Sequence, residues 1–320
     1  MMDACTETET WIEEINMEYE AFKESVLKGL QQIYGGYATV TTEKILKNNG
    51  KHYDGIVVEL SEGKGSTGLF IPMEWFYRLY NDGNADMEGC IRIIAKVCEE
   101  HRETDVVREL LQKMTCWEQI KGDIYPVLLS TKENREMLER VVSKPMLDMS
   151  VVYIARGEIG GRCVGIKIDR RMLKIYGISA ERLHKQAMEN LMNDGYQFRD
   201  IYRFVVEQGY PEPEKHDLEE AGKVEKMEKA YILTNAVKFY GAAGILDRKL
   251  VREFAGGRNF FILPSSVNET IFVPAGDGSG MEIYSGMVKM VNEMDVDEEE
   301  RLTDHAYFYD GTADEIRMWA

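Results

Sequence analysis

The sequence lacks the short spacings that build metal and redox centres. It has no Cys-x-x-Cys, no His-x-His and no His-Glu-x-x-His, so the usual zinc arrangements are excluded. Its five cysteines, Cys5, Cys90, Cys98, Cys116 and Cys163, are odd in number and scattered. That pattern implies reduced thiols in a cytoplasmic protein, with no disulfide framework. No apolar run approaches the roughly 18 residues a membrane-spanning helix needs. The opening "MMDACTETETWIEEIN" lacks the basic and apolar segments of a signal peptide. Basic residues are also in short supply. Thirty-nine lysines and arginines against 56 acids give a net charge of -17 and a pI near 4.9, a surface that repels phosphate backbones and anionic lipids. Direct nucleic-acid binding and membrane association are therefore not expected, and a protein partner, if there is one, would be basic.

What is present is the pattern of a folded protein: 44% apolar and 30% charged residues over 320 positions, enough chain to bury a core without staples. From Met17, "MEYEAFKESVLKGLQQIYGG" places Phe22, Val26, Leu27, Leu30 and Ile33 at helical spacing, with Gly35-Gly36 as a stop. Residues 1–16 read as an appendage to that start. Two β-rich runs, "YATVTTEKIL" and "HYDGIVVEL", flank Asn48-Asn49-Gly50, a hairpin signal. Trp75, Phe76, Leu79 and Tyr80 follow Pro72 in a helix and read as core. Cys90 and Cys98 fall on the apolar stripe of the next helix, about 86–101, and read as packing. A helix is expected near 103–114, and Ser179 reads as a helix cap.

Residues 210–229 are charged, with two prolines and no apolar period, and read as an exposed loop. Strands and helices alternate without a regular βαβ rhythm. The fold class expected is α+β, with mixed, largely antiparallel sheets and packed helices. Two subdomains are expected, 17–143 and 144–320, the second carrying the charged loop at 210–229. No internal repeat stands out.

The chemistry-bearing segment is "FFILPSSVNETIFVPAGDGSG", 260–280. Ser265 and Ser266 follow Pro264, and with Glu269 they are the candidate catalytic residues of a cryptic hydrolase. A nucleophile elbow, however, requires glycines flanking the serine and a histidine base. His52, His101, His184, His216 and His305 sit in no recognisable context. Gly276, Gly278 and Gly280 are candidates for a phosphate-cradling loop, but a dinucleotide fingerprint would need glycine where Met281 stands. A turn between two strands and a bend into the next helix account for the same residues. The loop "SEGKGSTG" fails as a P-loop, because Gly65 follows Lys64 and Val58 replaces the first glycine. The acidic run 294–300 lacks the register of a calcium loop. No cofactor and no metal site is expected.

The segments "MEYEAFKESVLKGLQQIYG", "YILTNAVKFYGAAGIL" and "FFILPSSVNETIFVPAGDG" together resemble an uncharacterised bacterial family, a domain of unknown function found mainly in anaerobic gut Firmicutes. The resemblance runs from about Met17 to Asp310. It implies no activity, cofactor or catalytic residue. It does imply histidine before the glutamate of the Pro-Ser-Ser segment, where this chain has Asn268. A role for that histidine as base or ligand would be lost here. The expectation is a non-catalytic protein-interaction module with an acidic surface. The alternatives are the hydrolase at Ser265/Ser266 and a small-ligand or nucleotide sensor at the glycine loop.

Overall fold

The computed structural model describes residues 4–60, 68–100, 112–159, 161–207, 209, 230–264, 266–276 and 280–318. Ser265, Gly278, the charged segment 210–229, the polar turn 61–67 and most of the helix expected near 103–114 lie outside the described residues. The fold is α+β, with antiparallel sheets covered by helices. It divides into two compact units, Met1–Lys47 with Lys51–Leu111, and Asn48–Gly50 with Gln112–Ala320.

The first unit starts with helix α1 (Ala4–Tyr34), which contains most of the expected appendage. Phe22, Val26, Leu30 and Tyr34 recur every fourth residue and are buried, the spacing of one helical face. Gly35, at φ 51°, ends the helix. Strands β1 (Ala38–Leu46) and β2 (His52–Leu60) pair antiparallel over their full length, and β3 (Leu69–Pro72) adds to β2. Helices α2 (Met73–Asn81) and α3 (Met87–Glu100) complete this core with Met73, Phe76, Cys90, Ile94 and Cys98.

Burial pushes the Cys90 and Cys98 thiols above their usual pKa, which suits packing rather than reactivity. Trp75 and Tyr80 do not join the core as expected. They are 55% and 42% exposed, because a nine-residue helix buries one face and Phe76 occupies it. Lys23, 8% exposed, is held by Asp54 at 2.5 Å and by Glu20.

The second unit contains two sheets. In the first, β4 (Ile124–Ser130) pairs along one edge of the long β6 (Met149–Ile159). The other edge of β6 takes β5 (Ser143–Met146) and then β7 (Arg162–Lys167). The sequence-based division at 143/144 thus falls at the start of β5, between β4 and its partner β6. Short helices α4 (Trp117–Ile120) and α5 (Arg135–Arg140) flank β4 in the chain, and α6 (Arg170–Tyr176) follows β7. Helix α7 (Ala180–Leu191), capped by Ser179, lies on β4 and buries Leu183, Ala187 and Leu191.

The second sheet has the order β13-β12-β10-β11-β9-β8, all antiparallel. Its strands are β8 (Gln197–Asp200), β9 (Tyr231–Thr234), β10 (Asn259–Leu263), β11 (Thr270–Ala275), β12 (Tyr307–Asp310) and β13 (Glu315–Met318). Helix α8 (Ile201–Glu207) follows β8. One sheet face carries Phe261, Leu263, Val273 and Phe308 against Met281 and Val288 of helix α10 (Met281–Met294). On the other face Phe254 of helix α9 (Arg248–Ala255) meets Phe198, Phe260 and Phe272. A buried 3-10 turn, Gly241–Leu246, packs against β4, β9 and β11.

Candidate functional site

β10 and β11 are the antiparallel pair read in the sequence; of the Pro-Ser-Ser segment between them, Pro264 and Ser266 are described and Ser265 lies outside the described residues. Ser266 is 5% exposed. Its hydroxyl donates to Glu269 Oε1 at 2.7 Å and accepts from the Asn268 backbone N–H at 3.0 Å, the local bonding of a serine turn. Asn268 is fully engaged in the same structure. Its Oδ1 accepts from Tyr240 N, its Nδ2 donates to Glu300, and its carbonyl accepts from Thr234 Oγ1.

The segments 231–246 and 260–276 are each other's partners. Besides the contacts of Asn268, Ala242 N donates to Val267 O. A Cβ on Gly241 would lie 2.3 Å from both Asn268 O and Thr234 Oγ1, so only glycine fits there. Of the loop glycines, Gly276 is exposed and its carbonyl accepts from Asn259. Gly280, at φ 98°, caps α10.

A cleft of about 390 Å³ lies elsewhere in the second unit. It forms where the tight Leu147-Asp148 turn joining β5 to β6 meets the chain that leads into β12. Leu147 takes φ 56°, a left-handed backbone that branched L-residues rarely adopt, and Asp148 follows it. The Asp148 carboxylate collects three groups. Tyr307 OH donates to Oδ1 at 2.5 Å, and Thr303 Oγ1 to Oδ2 at 2.8 Å. His305 Nδ1 stands 3.2 Å from Oδ2.

Burial first, and then the Asp148 charge, raise the Tyr307 pKa above its ordinary value. The phenol therefore stays protonated and donating at neutral pH. The alternation Thr303-x-His305-x-Tyr307 was the one local hint, because Asp148 comes from a distant part of the chain.

Two further walls complete the cleft. Asn292 of α10 donates from Nδ2 to Thr303 O and to Asp304 Oδ1, both at 2.9 Å. At the other wall Asn49 donates to the carbonyls of Glu298 and Arg301 and exchanges two hydrogen bonds with Asn134. Among the lining charges, Glu133, Asp148, Glu293, Glu298 and Asp304 outnumber Lys132 and Arg301. Lys132 pairs with Glu133. Among the described residues no three metal-ligating side chains converge.

Helix α10 also presents an outward apolar face. Ile283, Met290 and Met294 are 69%, 53% and 72% exposed, and Met287 between them is partly exposed. Steps of four, three and four residues put these on one side of the helix, away from the inward Met281, Val288 and Asn292.

The chain belongs to a family of unknown function, DUF5688, whose model matches residues 19–311. No curated protein and no solved structure matches it. Among the described residues no helix is long and apolar enough to cross a membrane.

Proposed function

We propose that the protein is a non-catalytic interaction module whose docking surface is the outward face of α10. One observation carries the reading. A helix whose inner side already fills a core keeps a second apolar stripe, Ile283, Met287, Met290 and Met294, in solvent. Methionine-rich faces adapt to a partner's shape, and apolar stripes left in water mark interaction sites.

Charge selects the occupant. Glu282, Glu293 and Asp295 adjoin the stripe along α10, with Lys289 as the one base within the helix. A second copy of a chain carrying -17 would bring like charge to like. The occupant is therefore an amphipathic helix of another protein, apolar on one side and lysine- or arginine-rich beside it. The free thiols of Cys90, Cys98, Cys116 and Cys163 support a reducing, cytoplasmic setting for that encounter.

Fluorescence anisotropy with a labelled leucine/lysine amphipathic peptide tests the reading. The expected result is saturable binding, at least tenfold stronger than to a scrambled peptide of the same composition. The exposed substitutions Met290→Glu and Met294→Glu should remove that preference while leaving thermal stability within about 0.5 kcal/mol. Equal binding of both peptides, or variants that bind as the parent does, would overturn it.

A further inference from the structure

The outward stripe of α10 mixes two kinds of apolar side chain. Ile283 and Val291 are hydrocarbon, whereas Met287, Met290 and Met294 carry thioether sulfurs. Met290 and Met294 are more than half exposed, and Met287 is half-buried. The same helix holds the opposite case. Met281 lies on its inner side, 5% exposed, in the cluster with Phe261, Val288 and Phe308. Met73, Met137 and Met149 are buried in other parts of the fold.

A thioether is an apolar group that a mild oxidant turns, reversibly, into a polar sulfoxide. The sulfur lone pair takes one oxygen of a hydroperoxide. The O–O bond breaks, an S–O bond forms, and hydrogen peroxide departs as water with both of its protons. Sulfur loses two electrons and the peroxide gains them. In the reverse step two thiols supply the electrons and join as a disulfide, while the oxygen leaves as water. Access decides which sulfur reacts, so the two sides of α10 differ. A sulfoxide on Met281 would force a polar oxygen into a packed core. One on Met290 or Met294 points where water already is, so the fold tolerates it and only the surface changes.

We infer that Met287, Met290 and Met294 form one modification site, an oxidation-sensitive patch that a hydroperoxide converts from apolar to polar and so closes to an apolar partner. The inference rests on the docking reading of the same face and adds a control that acts on it. Steps of three and four residues put the three sulfurs on one side of the helix. Oxidation at any of them therefore polarises the same contact area. Met192, at the end of α7 and 60% exposed, is an exposed methionine on another helix and serves as the comparison.

The test treats the full chain with millimolar hydrogen peroxide, maps each methionine by peptide mass spectrometry, and follows binding of the labelled leucine/lysine peptide by anisotropy. Met290 and Met294 should gain oxygen about tenfold faster than Met281, with the circular dichroism spectrum and melting temperature unchanged. Peptide binding should then weaken about tenfold or more, and return after treatment with methionine sulfoxide reductases and dithiothreitol. The variant M287L/M290L/M294L should bind equally before and after peroxide, whereas Met192→Leu should leave the loss in full. If the untreated chain does not bind the peptide, the docking reading fails by itself. Hydrophobic-interaction chromatography then decides the patch: the oxidised chain should elute earlier, and the oxidised triple variant should not shift. Equal oxidation of Met281 and Met290 would overturn the inference. So would a chain with sulfoxides at 290 and 294 that binds and elutes as the untreated one does.

Discussion

Asn49 and Asn134 hold each other reciprocally. Asn134 Nδ2 donates to Asn49 Oδ1 at 2.7 Å, and Asn134 Oδ1 accepts from Asn49 N at 2.8 Å. The remaining Asn49 donors go to the carbonyls of Glu298 and Arg301. Asn134 is 1% exposed, so water cannot replace what it supplies. Asn134→Ala would leave two groups of Asn49 unpaired, a loss of about 2 kcal/mol. Urea unfolding should show a lower midpoint at an unchanged slope. A midpoint within error of the parent would mean that water enters the gap.

Arg156 and Asp194 form a second buried polar centre, with side chains 15% and 7% exposed. The guanidinium nitrogens Nη1 and Nη2 both donate to the carboxylate, Asn235 Nδ2 adds a third bond, and Arg156 stacks 3.6 Å from the Tyr125 ring centroid. Asp194→Ala strands a buried cation and should cost about 3–5 kcal/mol. Arg156→Met combined with Asp194→Leu should cost much less than the sum of the single changes. Additive effects in that double-mutant cycle would contradict the coupling.

Gly241 tests whether the segments shared with the family serve the fold. Gly241→Ala places a methyl group against the Asn268 carbonyl, which is backbone and cannot swing away. The expected loss is about 2 kcal/mol or more, read as a lower melting temperature. Gly276→Ala, where a Cβ meets nothing within 4 Å, should leave stability nearly unchanged.

Alkaline stability follows from the buried phenols. Burial pushes Tyr153 and Tyr176 up to about 12. Tyr309 reaches about 12 through burial and its 2.8 Å hydrogen bond to Asp314. Tyr307 is raised as well. The unfolded phenol ionises near 10, so unfolding releases protons once the pH exceeds about 10. Stability is complete below that value and falls between about pH 10 and 12, on the order of 2 kcal/mol per raised tyrosine. Phenolate absorbance should therefore appear together with unfolding, and Tyr153→Phe should reduce the loss. A stability that stays flat through this window would refute the assignment.

Much of the architecture was legible because local rules agree. Period-two runs around Asn48-Asn49-Gly50 and around Pro264 became β1–β2 and β10–β11, and Gly280 starts α10 as a glycine bend should. Trp75 was misplaced because an aromatic next to Phe76 looks like core until one asks which face a short helix buries. The cleft was not legible. Tyr307 and Asp148 lie 159 positions apart, and no spacing rule connects a residue in a two-residue turn to a strand that returns so late. The second apolar stripe of α10 was hidden for a different reason. Periodicity marks which residues share a face, and the tertiary contacts decide which face is inward.

The asparagine pair at the tip of the β1–β2 loop has a kinetic consequence. Asn48 donates to the carbonyl of Glu299 across 251 positions, and Asn49 to those of Glu298 and Arg301 across 249 and 252. Closing a loop of that length is slow relative to forming the local hairpins and helices. These bonds belong to the last stage of folding, when the 298–301 turn meets residues synthesised long before it. During synthesis the side-chain amides of Asn48 and Asn49 wait for the carbonyls of Glu298, Glu299 and Arg301, which are the last of their partners to be made.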